Sequence, residues 1–237
     1  MRIAMWSGPR NLSTAMMYSF AARGDFAVVD EPFYAAYLRL TGVDHPMRDA
    51  ILASQSQDPD EVVKTLLGPV PAGKPHFYQK HMTQHMIPGI PRDWMGEVAN
   101  VFLIRHPARV IASFGAKWAG FGLDDIGFSQ QTELYDFVRG LGHHPVVIDS
   151  ADIRRDPEGM LRRLCAAIGL DFDPAMLSWP KGGNKADGVW AAHWYGAVHG
   201  STGFAPAEGD LPVLEGKAAE LLEQALPHYE RLAKLKL

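Results

Sequence analysis

The chain has 237 residues, of which 47% are hydrophobic and 21% are charged, a composition that is typical of a folded protein and excludes a disordered one. Its formal net charge of −4 at pH 7 argues against a protein that wraps nucleic acid, but it is compatible with a local basic pocket for a small anion. The length favours one domain spanning residues 1–237, and the single cysteine, Cys165, excludes an intrachain disulfide.

Alternating strands and helices are predicted along the chain. Five short apolar segments predict buried strands at residues 2–6, 26–29, 76–80, 98–104 and 145–149. Residues 11–22 and 157–170 instead carry apolar side chains at helical spacing. The fourth strand is nearly continuous apolar sequence, as expected when helices cover both faces of a parallel sheet. This alternation predicts a doubly wound α/β fold.

Three segments interrupt this alternation. Residues 41–75 are polar and contain proline and glycine, which favours either helices or a cap beside the sheet. Residues 178–212 hold many glycine, tryptophan and histidine residues without a clear period, which predicts an ordered loop. Residues 214–237 fit a helix, which Pro227 should end or kink.

The first strand runs into a loop, residues 8–14, that opens a helix. Free backbone N–H groups and the helix dipole favour an anion at such a turn, where Arg10 adds a full charge and Ser13 and Thr14 add hydroxyl donors. Alternatively, Asn11 or Ser13 only caps the helix and the arginine lies in solvent. The Walker A pattern GxxxxGK[ST] is absent, which argues against Mg-nucleotide hydrolysis.

A second candidate anion site follows the strongest strand. Arg105 stands at the end of that strand, Pro107 suits the first turn of the next helix, and Ser113 lies about two turns into it. Arginine suits a phosphate because its planar group donates two hydrogen bonds and keeps its charge. The alternative is a structural ion pair between Arg105 and a nearby carboxylate.

Together these two segments resemble the sulfotransferases that use 3′-phosphoadenosine-5′-phosphosulfate (PAPS). Residues 9–14, Pro-Arg-Asn-Leu-Ser-Thr, resemble the Pro-Arg-Ser-Gly-Ser-Thr form of the family's 5′-phosphosulfate loop. Arg105 and Ser113 stand eight positions apart, like the arginine and serine that hold the 3′-phosphate in that family. The resemblance covers residues 1–35 and 76–190, and it implies a three-layer α/β/α sandwich of the P-loop nucleotide-binding type with about five parallel strands.

The resemblance also implies a cofactor and the residues that contact it. PAPS is the expected cofactor, with no metal ion, and the expected contacts are Arg10, Asn11, Leu12, Ser13, Thr14, Arg105 and Ser113. Residues 181–190 resemble the loop that closes over the nucleotide, which adds Lys185, Gly188 and Trp190. Leu12 stands where the family's loop usually has glycine. Because leucine does not easily adopt a positive φ, we expect a loop of different shape or a defective one.

Catalysis of sulfuryl transfer requires a cation near the departing phosphate and a base for the acceptor. Arg10 is the available cation. Glu31, in an Asp-Glu-Pro-Phe segment after the second strand, resembles the family's Glu-Pro element and is the first candidate for the base, with Asp30 as a competitor. The other reading of Glu31 is a surface or capping carboxylate. His81 is the second candidate base, since Lys80-His81 resembles the Lys-x-His segment of cytosolic sulfotransferases without its spacer.

Aromatic and imidazole side chains are concentrated near the end of the chain. Trp190, His193, Trp194, Tyr195 and His199 favour either an acceptor pocket or a loop anchored on the core, and the sequence does not decide between them. His81 and His85 have the i, i+4 spacing of metal ligands, but a third ligand is not evident.

The sequence therefore predicts a sulfotransferase that moves a sulfuryl group from PAPS to a small hydroxyl or amine acceptor. Two alternatives are a kinase-like phosphotransferase and a non-catalytic nucleotide-binding relative. No apolar run approaches the ~20 residues of a membrane span, and the apolar start is too short for a signal peptide. We expect a cytoplasmic protein whose partner is a small-molecule acceptor, without nucleic-acid or membrane partners. Neither the acceptor nor the oligomeric state can be derived from the sequence.

Overall fold

Five strands form one sheet in the computed structural model of the protein, which describes residues 1–118 and 120–237. They are β1 (Arg2–Ser7), β2 (Phe26–Asp30), β3 (His76–Met82), β4 (Ala99–Ile104) and β5 (Val146–Asp149). All five predicted strands are therefore confirmed, and their bounds shift by only one or two residues. Their apolar composition explains this, since each strand is buried along most of its length.

Helices connect the strands and continue beyond the last of them. Within the described residues they are α1 (Ser13–Ala22), α2 (Tyr34–Thr41), α3 (Arg48–Ser54), α4 (Pro59–Leu67), α5 (Pro107–Gly115), α6 (Leu123–Ile126), α7 (Phe128–Gly140), α8 (Ser150–Arg155), α9 (Pro157–Ala167), α10 (Ala191–Trp194), α11 (Gly196–His199) and α12 (Lys217–Ala233).

The strand order is β2-β3-β1-β4-β5, and every neighbouring pair is parallel. The first strand of the chain therefore lies in the centre, between β3 and β4. Because all strands run in one direction, the loop after β1 and the residues that follow the other strands emerge at the same edge of the sheet. This arrangement confirms the predicted doubly wound parallel sheet, and it gathers distant polar segments at one place.

Both faces of the sheet are covered by helices. In β1, Ile3 and Met5 belong to an apolar cluster with side chains of α1 and α9, because successive side chains of a strand point to opposite faces. Ala4 and Trp6 belong to a second cluster, which includes side chains of α4, α7 and α12. The predicted three-layer α/β/α sandwich is thus confirmed.

The segments outside the strand–helix alternation also have defined structure. Residues 41–75 contain α3 and α4, and Val62 and Leu66 of α4 pack into the apolar cluster on one sheet face. Residues 178–212 contain the short helices α10 and α11, together with an isolated antiparallel bridge between Ser178 and Gly203. Within the described residues, no helix combines the length and the apolar character of a membrane span.

Helix α12 continues through Pro227, so of the two predicted outcomes, an end or a kink, the helix does not end at this proline. A proline removes one helical hydrogen bond and crowds the preceding turn. Here buried residues lie on both sides of it, Leu221 and Ala225 before and Leu232 after. Packing of both halves against the rest of the protein explains why the helix persists.

Candidate active site

A cavity of about 410 Å³ lies at the carboxyl ends of the strands, where open α/β sheets bind their ligands. The predicted site residues that line it are Arg10, Asn11, Leu12, Ser13, Thr14, Glu31, Arg105, Ser113 and Trp190. The sheet topology brings all but Trp190 together, since they follow three different strands, β1, β2 and β4. Three other predicted residues, His81, Lys185 and Gly188, are not part of the lining.

The loop after β1 adopts a left-handed backbone at two residues that are not glycine. The φ angle is 62° at Arg10 and 75° at Leu12. Leucine therefore takes the conformation that its side chain makes unfavourable. A left-handed residue with a side chain costs roughly 1–2 kcal/mol, which surrounding contacts must offset.

Two hydrogen bonds hold this loop against β4. The Asn11 side-chain amide donates to the carbonyl of Leu103 at 3.1 Å, and Arg105 Nη1 donates to the carbonyl of Arg10 at 2.5 Å. Asn11 thus holds the loop against β4 and does not cap helix α1. Leu12 occupies the position before α1, and no described side chain caps that helix. The amides of its first turn remain available to an anion.

Arg10 is fixed in the wall of the cavity. Its Nε donates to Ser113 Oγ at 2.9 Å, and its Nη1 donates to the carbonyl of Trp194 at 3.3 Å. Burial, with a further contribution from the charge of Arg105, lowers the pKa of Arg10, but an arginine with this environment keeps its proton at neutral pH. The arginine therefore places a positive charge between the first loop and α5, and it is not the solvated side chain of the alternative interpretation.

Three arginines surround one carboxylate at the edge of the cavity, and we call Arg105, Arg109, Arg154 and Glu208 the arginine cluster. Glu208 forms ion pairs with Arg105, with Arg109 at 3.2 Å and with Arg154 at 2.6 Å, and its side chain is only 7% exposed. Arg105 therefore forms the ion pair of the structural alternative, and it also belongs to the group of positive charges expected of an anion site. The excess of arginines makes the position strongly attractive to anions.

Glu31 belongs to a buried ion cluster at the ends of β2 and β3, which we call the Lys80 cluster: Asp30, Glu31, Lys80 and Tyr195. Lys80 Nζ donates to Asp30 Oδ1 at 2.7 Å, to Glu31 Oε1 at 2.6 Å and to the Tyr195 hydroxyl at 2.7 Å. The Tyr195 hydroxyl donates to Asp30 Oδ2 at 2.8 Å. Glu31 is thus neither a surface carboxylate nor a helix cap.

The Lys80 cluster sets the protonation of its members. Burial raises the pKa of Glu31, and the neighbouring Asp30 raises it further against the opposing effect of Lys80. Burial alone would lower the pKa of Lys80, but the two carboxylates more than offset this and hold the pKa above its ordinary value. Glu31 is consequently a stronger base than an ordinary glutamate, and it reaches the cavity through the small exposed part of its side chain.

His81 lies behind the cavity wall. Its ring stacks on Trp6 with the centroids 4.5 Å apart, and the residue is 2% exposed. Burial, together with the charge of Lys80, lowers the pKa of His81 to about 3. Lys80 and His81 are consecutive in a strand and therefore point to opposite faces of the sheet. The structure places His81 where it does not meet an acceptor in the cavity.

The expected closing loop only partly meets the cavity. Lys185 is exposed and does not line the cavity, whereas the Gly188 amide donates to Asp30 Oδ2 at 3.2 Å. Trp190 lines the cavity, and its Nε1 donates to the Tyr195 hydroxyl at 3.0 Å. The segment therefore anchors on the Lys80 cluster.

A large part of the cavity wall is aromatic. The contributing side chains include Tyr34, Tyr37, His45, His85, Trp118 and Trp194. Of the predicted aromatic group near the end of the chain, Trp190, Trp194 and Tyr195 line the cavity, and His193 and His199 are not part of the lining. Only some members of the predicted group thus line the cavity, as expected for an acceptor pocket, and the others do not.

Several site residues were missed by the sequence analysis. Arg154 and Ser150 line the cavity because they follow β5, and their place after a predicted strand was an available signal. Tyr34 had the same signal, since it follows β2, whereas Glu208 had none because it does not belong to a recognisable motif. Among the described residues, no three His, Cys, Asp or Glu side chains form a group that could hold a metal ion.

The chain was compared with known protein families and proteins. A family model described as "Sulfotransferase domain" matches residues 1–235. Two proteins of Arabidopsis thaliana, the branched-chain-amino-acid aminotransferase-like proteins 2 and 1, are each 38% identical to the chain over 230 residues, which is 97% of this chain. The match covers 41% of each of those proteins, so the chain spans about two fifths of the length of these relatives.

Two solved structures have a similar fold. The sulfotransferase domain from the Synechococcus PCC 7002 olefin synthase aligns with a TM-score of 0.54 and 19% identity, covering 94% of each chain. The sulfotransferase domain from the curacin biosynthetic pathway aligns with a TM-score of 0.52 and 15% identity, covering 95% of this chain and 96% of that one. At these identities the similarity concerns the fold.

Replacement of Lys80 by methionine tests the Lys80 cluster. The change leaves two buried carboxylates without their cation, and we expect it to lower the free energy of unfolding by about 3–5 kcal/mol, measured by urea denaturation. Lys185→Met, which removes an exposed lysine, is the matched control and should change the stability by less than about 0.5 kcal/mol. A loss below about 1 kcal/mol in the Lys80 variant would contradict the cluster's role.

The pH dependence of stability tests the burial of His81. An unfolded histidine takes up a proton near pH 6.5, whereas the folded protein holds His81 neutral down to about pH 3. Below pH 6.5 the unfolded state therefore binds the extra proton, and this histidine should remove about 1.4 kcal/mol of stability per pH unit as the pH falls.

Urea unfolding between pH 7.5 and pH 4.5 isolates this contribution. His81→Gln should show a shallower decline than the unmodified protein, while His143→Gln, at an exposed histidine, should follow the unmodified protein. Equal slopes for the His81 variant and the unmodified protein would show that His81 is accessible to protons.

Proposed function

Because the chain belongs to the sulfotransferase domain family, we propose that it transfers a sulfuryl group from PAPS to a small acceptor that carries a hydroxyl or amine. The observation that carries this proposal is that one cavity joins the arginine cluster, the positively charged first loop and the buried carboxylate of Glu31. A site of this kind combines an anion-binding end with a proton acceptor.

The residues of the cavity are suited to a nucleotide with a 3′-phosphate. The Glu208 carboxylate is already an anion bound by Arg105 and Arg154, and a phosphate has the same attraction for these groups. Two further buried atoms in lining residues, Arg105 Nε and Ser150 Oγ, have no hydrogen-bond partner among the described residues. Such unpaired donors in a cavity support binding of an additional acceptor-rich group.

The first loop supports binding of the second anionic end. The first-turn amides of α1 and the Arg10 guanidinium lie in the same stretch of the wall. PAPS supplies the sulfuryl group when it is bound. Arg10 would stabilise the negative charge that develops on the departing phosphate, because its guanidinium is already fixed by Ser113 and needs no reorganisation.

Glu31 would accept the proton of the acceptor. Its raised pKa makes it more basic, and Lys80 holds its Oε1 in a defined position. A positioned general base of this kind contributes roughly 10²–10⁴-fold to the rate. The aromatic side chains of the cavity would hold the acceptor and exclude water, so that the group transfers to the acceptor and not to solvent.

Titration calorimetry with 3′-phosphoadenosine-5′-phosphate tests the nucleotide site, with ATP and Mg²⁺ as comparator. We expect selective binding of the 3′-phosphorylated nucleotide, and Arg105→Ala should weaken it by at least about 10-fold through the loss of charged hydrogen bonds. Arg155→Ala, on the exposed side of α8, is the control and should leave the affinity unchanged. Much tighter binding of ATP with Mg²⁺ would instead support a kinase-like phosphotransferase.

Replacement of Glu31 by glutamine separates catalysis from binding. Glutamine retains an oxygen for Lys80 but does not accept the acceptor's proton. Formation of 3′-phosphoadenosine-5′-phosphate from PAPS, with choline, ethanolamine and 4-nitrophenol as acceptors, should fall by at least about 100-fold. Nucleotide affinity should stay within about 2-fold, and Glu61→Gln, at an exposed residue of α4, should behave like the unmodified protein. Unchanged turnover in the Glu31 variant would assign the base to another residue.

A further inference from the structure

The aromatic lining residues form a connected wall around one part of the cavity. The Tyr34 hydroxyl and His45 Nδ1 share a hydrogen bond of 2.5 Å, and the His45 ring meets Trp118 edge to face with the centroids 4.8 Å apart. His45 also approaches Trp194, with 5.7 Å between the centroids. We call Tyr34, Tyr37, His45, Trp118 and Trp194 the aromatic wall.

A buried imidazole joins the two tyrosines of this wall. The His85 ring stacks on Tyr34 with the centroids 4.5 Å apart and on Tyr37 with the centroids 4.8 Å apart. The stacked arrangement fixes the orientation of both phenol rings. The wall is therefore a surface of π faces and edges in which His85 holds both tyrosine rings in place.

The aromatic wall carries no positive charge of its own. Burial lowers the pKa of His45, and it lowers that of His85 well below its ordinary value, so both rings are neutral at pH 7. Burial also raises the pKa of Tyr37 to about 12, which keeps its hydroxyl protonated. The cations among the described lining residues belong to the first loop, the arginine cluster or the Lys80 cluster.

Negative charge, in contrast, lies beside the wall. Asp125 lines the cavity, and its charge acts on both His45 and Tyr37. Its Oδ2 accepts a hydrogen bond from the Gly122 amide at 2.8 Å, which fixes the carboxylate at the start of α6. The Lys80 cluster contributes a second excess of negative charge, since two carboxylates share one ammonium group.

The wall is also next to the candidate base. Tyr34 opens α2 directly after the turn that carries Glu31, and its amide donates to the Glu31 carbonyl at 3.0 Å. The charge of Glu31 also acts on the Tyr34 hydroxyl, so the carboxylate and the aromatic wall lie next to each other in the cavity. Aromatic faces combined with a nearby carboxylate are the chemistry that recognises an ammonium ion.

From this geometry we propose that the acceptor is an amino alcohol, whose ammonium group lies against the aromatic wall beside Asp125 while its hydroxyl faces Glu31. This inference rests on the proposed sulfuryl transfer and specifies its acceptor class. In the balanced reaction, the bond between sulfur and the phosphate oxygen of PAPS breaks and a bond between sulfur and the acceptor oxygen forms. The hydroxyl proton passes to Glu31, and the products are a sulfate ester and 3′-phosphoadenosine-5′-phosphate.

Choline and 3,3-dimethylbutan-1-ol form a matched pair of probes, because they have the same shape and hydroxyl and differ in the charge of one atom. Transfer from PAPS to each is measured with the full chain as release of 3′-phosphoadenosine-5′-phosphate. Binding of each is measured by calorimetry in the presence of that nucleotide. We expect kcat/KM for choline to exceed that for the neutral alcohol by at least about 10-fold.

Two aspartates of α6 provide the control variants. Asp125→Asn should lower kcat/KM for choline by about 5-fold or more and leave the neutral alcohol unchanged, because only the charged probe interacts with the carboxylate. Asp124→Asn alters the exposed neighbouring aspartate and should leave both probes unchanged. Trp118→Leu should likewise weaken choline selectively, and Trp118→Phe should restore part of the effect.

The outcomes separate this inference from the proposed function. Equal use of both probes, or transfer to 4-nitrophenol without any binding of choline, would overturn the acceptor class while sulfuryl transfer stands. Binding of 3′-phosphoadenosine-5′-phosphate without binding of choline would do the same. Failure of the nucleotide itself to bind would overturn the proposed function, and the acceptor class with it.

Discussion

The ion cluster around Lys80 is the interaction on which the rest of the site depends. One ammonium group, two carboxylates and a tyrosine hydroxyl are buried together at the ends of β2 and β3, and removal of the ammonium group would leave both carboxylates without a cation. The cluster fixes the candidate base, and through Tyr195 and Trp190 it attaches the 178–212 segment to the sheet. The same contacts thus orient a reactive carboxylate and close one side of the cavity, which couples the integrity of the pocket to the position of Glu31.

The arginine cluster has the opposite charge balance, with three guanidinium groups around one carboxylate. Three guanidinium groups near one another repel, and Glu208 neutralises part of their charge within the chain. A ligand phosphate that binds Arg105 has to share or replace this carboxylate. Glu208 therefore links residues 203–212 to the three arginines, although this segment is remote in sequence from both the first loop and β4. The two charged clusters divide the cavity into a region rich in arginine and a region with excess negative charge.

The sheet and the positions of Arg10 and Arg105 were predictable from the sequence because their signals are local. Continuous apolar runs mark the buried strands, and Arg10 and Arg105 stand directly at strand ends, where the topology of a parallel sheet brings them together. His81 was proposed as a base, but alternation along β3 turns it to the opposite face of the sheet from Lys80. Glu208 was not predictable, because its placement depends on the packing of an irregular segment. The roles in binding and catalysis stay predictions, since they depend on ligands.

Left-handed backbone recurs at the site, at Arg10, at Leu12 and, with a φ of 42°, at Glu31. None of these residues favours that conformation by itself, so the unfolded chain seldom samples it. Hydrogen bonds from Asn11 to β4 and from Arg105 to the loop hold it, and both contacts depend on the pairing of β1 with β4. The same six loop residues, placed outside this sheet, would therefore lack the contacts that hold their backbone. Its shape belongs to the assembled sheet and not to the segment.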